Sequence, residues 1–289
     1  MLQVARLAPK QLGESRDLVA AFLRSHTNPD GGFQDRAGVS DLYYTVFGLD
    51  ALIALQEDVP VDRTAAYLRT CDPASLDFVH AACLARGWAA IRRLPHPDVI
   101  QQVLARIEAC RSADGGYAIS AGALHGSAYA AFLALGAYQD FGHALPAPDE
   151  VLASIRGLRA TNGGFANQPG LTSGITPATA AAIMVLRHLG EQPDRDAGMW
   201  LLDRCHKSGG FFAVPSAPVP DLLSTATALH ALSALGVPVS GVREPCLDFV
   251  DSLWTNRGGF FGTWADDAAD CEYTYYALLA LGHLTLDPA

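Results

Sequence analysis

The chain has 289 residues, half of them hydrophobic and 17% charged, with a formal net charge of −10. That acidity excludes a nucleic-acid partner, because phosphate binding draws most of its affinity from Lys and Arg, and no basic cluster interrupts it. No stretch reaches the roughly 18 uncharged apolar residues of a membrane span, and residues 1–9 lack the apolar core of a signal peptide, so a cytoplasmic chain without a membrane span is expected.

From the N-terminus onward, one feature recurs: a Gly-Gly-aromatic turn at Gly31-Gly32-Phe33, Gly115-Gly116-Tyr117, Gly163-Gly164-Phe165, Gly209-Gly210-Phe211 and Gly258-Gly259-Phe260. The intervals are 84, 48, 46 and 49 residues, so the first holds two units and a full helix pair is expected around 62–91 without its glycines. Each unit begins with a helix marked by Pro or Asp, as at Pro97-Asp98, Pro148-Asp149-Glu150 and Pro193-Asp194, where Asp can cap exposed N–H groups. Val99, Val103, Ile107 and Cys110 then make one apolar stripe, as do Val151, Ile155 and Leu158, which is the pattern of an outer helix. The helices expected at 176–186, 224–235 and 273–284 are nearly uncharged, and a helix apolar on every side must be buried on every side. Six outer and six inner helices in alternation predict an all-α fold, an α6–α6 toroid of six helix-pair repeats filling one domain, 1–289, around a central cavity and with essentially no sheet. An open solenoid explains the same period; the count of six and the lack of polar capping units favour closure.

Cys71, Cys110 and Cys205 close similar helical tails just before the repeat turn, a packing position, so all six cysteines are expected to be reduced.

The inner helices share a second register. Asp41-Leu42-Tyr43-Tyr44-Thr45, Asp221-Leu222-Leu223-Ser224-Thr225 and Asp270-Cys271-Glu272-Tyr273-Thr274 each place Tyr or Ser three residues after Asp and Thr four after; repeat two offers Asp77. Each Asp can be an N-cap. Asp221 and Asp270 belong to adjacent repeats and should stand together at one mouth of the cavity.

Gly-Gly-Phe turns joined to Asp-x-x-aromatic-Thr helices resemble the prenyltransferase and terpenoid-cyclase repeat superfamily over nearly the whole chain, and repeats one and six are closest to protein prenyltransferase β subunits. The resemblance implies a toroid with an aromatic funnel for an isoprenoid chain. It also implies a zinc ion held by an Asp and a Cys two residues apart in repeat five and a His in repeat six. The Asp maps to Asp221, but the Cys maps to Leu223 and the His to Tyr273. Cys271, beside Asp270, is the other metal candidate, turned about 100° away by its helical offset. No cofactor is therefore expected, zinc at Asp221 and Cys271 remaining the one alternative. The loop that carries the family's diphosphate clamp, 211–220, is uncharged here. His125-Gly126 resembles the His-Gly of the diphosphate pocket, with the following aromatic, Tyr129, one residue late.

The cyclase branch of the superfamily uses an Asp-x-Asp-Asp acid that is absent as such, but Trp264-Ala265-Asp266-Asp267-Ala268-Ala269-Asp270-Cys271-Glu272 gathers four carboxylates. Crowded carboxylates raise one another's pKa, as a general acid requires. Three functions follow: an isoprenoid-handling enzyme resembling a prenyltransferase β subunit, a class II-like cyclase or isomerase, and a non-catalytic toroid that binds a lipid or a protein. In the enzymatic readings Asp270, Asp221 and Tyr273 are the catalytic candidates and Tyr44, His125, Phe212, Trp264, Tyr275 and Tyr276 the substrate-binding ones. The ligand is an isoprenoid or another hydrophobic small molecule, and an α-type subunit or a second copy of the chain stays open as partner.

Overall fold

The computed structural model describes every residue except 193–194 and 287–289; the helix start read at Pro193-Asp194 lies outside the described residues. Two short helices, α1 (Leu2–Ala5) and α2 (Pro9–Leu12), lead into helix pairs in chain order: α3 (Arg16–Ser25) with α4 (Leu42–Ala54), α5 (Val61–Thr70) with α6 (Phe78–Ala90), α7 (Pro97–Glu108) with α8 (Ala128–Asp140), α9 (Pro148–Gly157) with α10 (Thr176–His188), α11 (Arg195–Leu202) with α12 (Leu222–Ala234), and α13 (Arg243–Ser252) with α14 (Cys271–Thr285). The first member of each pair is amphipathic and the second almost wholly apolar, as the sequence pattern requires. The pair α5–α6 is complete although its turn has no Gly-Gly-aromatic signature.

Among the described residues sheet is confined to a two-residue antiparallel pair, β1 (Phe33–Gln34) with β2 (Ser40–Asp41), and to single bridges at the turns, such as Phe211 with Asp221 and Phe260 with Asp270. These bridges bring each turn's aromatic back to the residue that starts the inner helix. The Thr four residues after that start locks the arrangement. Its hydroxyl accepts the aromatic's N–H at Thr45 (2.9 Å from Phe33), Thr179 (2.8 Å from Phe165), Thr225 (2.9 Å from Phe211) and Thr274 (3.3 Å from Phe260). A buried N–H left without that partner would carry its full desolvation penalty.

The first glycine of two turns shows why no other residue serves. Gly209 has φ 86° and a Cβ there would lie 1.7 Å from the Pro245 carbonyl oxygen on α13; Gly258 has φ 95° and a Cβ would lie 2.2 Å from the Leu18 oxygen on α3. These two turns thus seat on the outer helix of the following repeat, the sixth repeat's turn on the first repeat's helix.

The helices group into two compact units, residues 1–60 with 198–289 and residues 61–197. In the first, α14 lies between α4 and α12, with α1 packed along it; Gly282 lets the α1 backbone approach, since a Cβ would sit 2.2 Å from the Val4 oxygen. In the second, α8 lies between α6 and α10. All six cysteines are free thiols.

Candidate active site

The three inner helices of the first unit each start on an Asp cap. Asp41 accepts N–H bonds from Tyr43 (2.8 Å) and Tyr44 (3.1 Å). Asp221 accepts the Ser224 N–H (2.6 Å) on one oxygen and the Ser224 hydroxyl (2.7 Å) on the other. Asp270 accepts the Tyr273 N–H (2.9 Å) on Oδ1. Capping is therefore part of the role of all three.

Asp270 has a second partner that the sequence did not announce. It is 3% exposed, and Arg36, from the loop between β1 and β2, places both Nε and Nη2 2.9 Å from its Oδ2. The guanidinium also lies 5.8 Å from the centroid of the Tyr273 ring, within the range of a cation–π contact. Two residues along α14, half-buried Glu272 accepts the Tyr43 hydroxyl of α4 at 2.6 Å. Burial pushes the Glu272 carboxyl up to about 7, helped by the charge of Asp270 and opposed by the Tyr43 hydrogen bond and Arg36. Burial also raises Asp221, with Asp266 adding to it against the Ser224 bonds. Tyr44 is raised by burial and by the charges of Asp270 and Glu272.

An aromatic run leads from this cluster along α4 and α14. Tyr43 packs edge-on to Tyr44 at 5.8 Å and to Phe47 at 4.9 Å, and Phe47 meets Tyr275 at 5.7 Å and Tyr276 at 5.3 Å. Tyr44, Tyr273, Tyr275, Tyr276 and Asp270 thus belong to one neighbourhood. The other candidates lie elsewhere. Trp264 is 47% exposed, packs edge-on against Phe249 of α13 and donates to the Ser252 hydroxyl at 2.8 Å, so it clasps an outer helix. Phe212 stands edge-on to His206 beside its own turn. His125 is in the second unit, 3.5 Å from Asp114. Its neighbour Gly126 is a packing glycine: a Cβ would fall 2.8 Å from the Ser154 hydroxyl.

Sequence reasoning assigned no site role to Arg36 or Tyr43 and counted Glu272 only as one of four clustered carboxylates. A signal existed for the last two. Both are the second residue after a capping Asp, and α14 packs on α4, so that position meets itself between repeats six and one.

The donors at the zinc positions implied by resemblance do not fit the ion. Leu223 offers none, and the Tyr273 phenol is pushed up to about 12, first by burial and then by Glu272, Asp266 and Asp270. Burial and Asp270 keep the Cys271 thiol protonated, whereas a zinc ligand must be a thiolate. Among the described residues no three His, Cys, Asp or Glu side chains gather in a metal-binding group.

The family model of the prenyltransferase alpha-alpha toroid domain matches residues 7–83 and 179–287, more than half of the chain. The chain belongs to that family, and its fold is the α/α toroid. A variant of the type II terpene cyclase MstE from Scytonema in complex with geranylgeranyl dihydroxybenzoate superposes with a TM-score of 0.68 at 13% identity, over 96% of this chain and 97% of that one. Candida albicans protein geranylgeranyltransferase-I complexed with GGPP gives 0.65 at 12% identity, over 91% and 89%. A protein from Actinoplanes gives 0.60 at 14%, over 94% and 98%. At these identities the likeness shows the fold alone. No curated protein matches the chain by sequence. No described helix is long and apolar enough to cross a membrane.

Proposed function

We propose that this chain is an isoprenoid-handling enzyme that works by proton-initiated cyclisation or isomerisation, in the manner of a class II terpene cyclase, rather than by zinc-dependent prenyl transfer. The observation that carries the reading is the aromatic run of Tyr43, Phe47, Tyr275 and Tyr276 ending at a sheltered group of carboxyls, Asp270 and Glu272. A protonated carboxyl can start a cation on an alkene, and π faces stabilise the cation that forms. The lack of a fitting zinc donor set removes the means of activating a thiol acceptor. Neighbours of the same fold, a type II terpene cyclase and a protein geranylgeranyltransferase, are named with geranylgeranyl dihydroxybenzoate and GGPP, which supports an isoprenoid ligand for this chain as well.

The test is incubation of purified protein with geranyl, farnesyl and geranylgeranyl diphosphates, with squalene and with prenylated hydroxybenzoates. A product isomeric with its substrate, formed without added metal, is expected. Elemental analysis near one zinc per chain, lost in Asp221→Ala, would restore the transfer reading. Absence of both binding and product leaves a non-catalytic toroid.

A further inference from the structure

We propose that Glu272 is the proton donor of this site and that Tyr43 positions it, while Asp270 acts as the strut that holds Arg36. The assignment rests on the proton-initiated reading above.

A proton donor must carry a hydrogen at working pH and have an oxygen that is not already occupied as an acceptor. Among the carboxyls here, Asp270 commits Oδ1 to the Tyr273 N–H and Oδ2 to two guanidinium nitrogens of Arg36. Asp221 gives both oxygens to Ser224. Asp266 keeps one oxygen open, but its other oxygen already accepts two N–H groups, of Gly262 (2.8 Å) and Thr263 (3.1 Å), against the single donor on Glu272, and Asp267 is exposed. Glu272 accepts one hydrogen bond among the described residues, on Oε1. Its burial and the nearby Asp270 charge favour the protonated form, against the Tyr43 bond and Arg36. The groups bearing on it come from every neighbouring element: Tyr43 and Tyr44 on α4, Asp270 and Tyr273 on α14, and Arg36 on the β1–β2 loop.

The step balances without a co-reactant. The Glu272 O–H bond breaks and a C–H bond forms at the less substituted carbon of an isoprenoid alkene. The π pair is consumed, leaving a tertiary cation on the substrate and a carboxylate on Glu272. The Tyr43 hydroxyl then donates to an ionised oxygen, a stronger bond than it made to the acid. After ring closure or migration, a proton lost from the carbon beside the last cation re-forms an alkene. That proton returns to the carboxylate, directly or through water.

The experiment measures turnover and its pH profile for wild type, Glu272→Gln, Glu272→Asp, Asp270→Asn and Tyr43→Phe, on whichever isoprenoid the wild type converts, with thermal melts to establish folding. Glu272→Gln should lose at least about 100-fold in turnover while remaining folded, and Glu272→Asp should recover part of it. Asp270→Asn should lower the melting temperature and cost less than about tenfold in turnover. Activity should fall as pH rises through the Glu272 titration, and Tyr43→Phe should move that fall to higher pH, because the Tyr43 hydrogen bond holds the carboxyl down. Folded Glu272→Gln with more than a tenth of wild-type turnover overturns the assignment, as does a Tyr43→Phe profile that does not move or an Asp270→Asn loss larger than that of Glu272→Gln. Should the wild type convert none of the isoprenoids, the parent reading fails and the assignment falls with it. That outcome is distinct from an active wild type whose Glu272→Gln variant is also active.

Discussion

Both units contain a tyrosine hydrogen-bonded to a glutamate, and the two pairs are built to opposite ends. In the second unit Glu108 receives the Tyr117 hydroxyl at 2.5 Å, the Tyr138 hydroxyl at 3.0 Å and Nε of Arg111 at 3.3 Å. Arg111 ties the group further to the Pro146 and Gly115 carbonyls. Glu272 in the first unit has one hydroxyl donor among the described residues, and the nearby Arg36 guanidinium is spent on Asp270. A carboxylate with three donors is a strut; a sheltered one with a single donor holds its proton to higher pH. The starts of the inner helices repeat the contrast. Ser127 caps α8 and Ile175 precedes α10 without a side-chain cap, and Asp77 caps α6, so one inner helix of the second unit starts on an acid against all three in the first. The carboxyls gathered in the first unit exceed what the turn itself needs.

The largest effect expected from breaking either unit is steric and independent of chemistry. Gly209→Ala forces a Cβ onto the Pro245 carbonyl at a positive φ, and should destabilise by at least about 3 kcal/mol, read as a lowered denaturant midpoint. Next come the two glutamates, whose amides should move stability in opposite directions at pH 8. Glu108→Gln weakens charge-assisted bonds and should lose about 1.5–3 kcal/mol. Glu272→Gln should gain. A carboxyl raised in the folded state binds its proton more tightly there than when unfolded. Its stabilisation is complete below about 4.5 and is lost as pH rises to about 7, so wild type should weaken between pH 5 and 8 by up to roughly 3 kcal/mol more than the variant. Equal responses of the two variants would erase the contrast between a strut and a proton-holding group.

The other end of α14 sharpens the comparison with the reverse sign. His283 is 3% exposed and meets His230 of α12 at 3.0 Å, while its Nδ1 has no partner among the described residues. Burial depresses it to about 3, the chain's N-terminal amine adding to the effect. Its neutral form is favoured by the fold, so stability present above about 6.5 drains away as pH falls toward 3. His283→Gln should flatten that limb between about pH 3 and 6.5 in thermal melts, and leave the loss of stability above pH 6.5 untouched. The smallest effect belongs to the surface pair of Arg156 and Glu191. Arg156→Ala should leave the thermal midpoint nearly unchanged, and change it less again at high salt.

The repeat period, the alternation of amphipathic and apolar helices, the missing glycines of repeat two and the Asp caps were all legible in the sequence, because each depends on residues within one helix or one turn. Half of the candidate site was legible for the same reason: Asp270, Tyr273, Tyr275 and Tyr276 follow from the register of α14 alone. Trp264 and Phe212 share that local register, yet their rings went to α13 and His206. Which helix a side chain meets depends on how neighbouring repeats seat. The pairing of Glu272 with Tyr43 spans 229 residues and that of Asp270 with Arg36 spans 234. No local periodicity encodes such contacts. They exist because the sixth repeat packs on the first, and the same packing withdraws Glu272 from water. A carboxyl's charge responds to its solvation and its neighbours, so which of the acids keeps a proton was decided by tertiary structure.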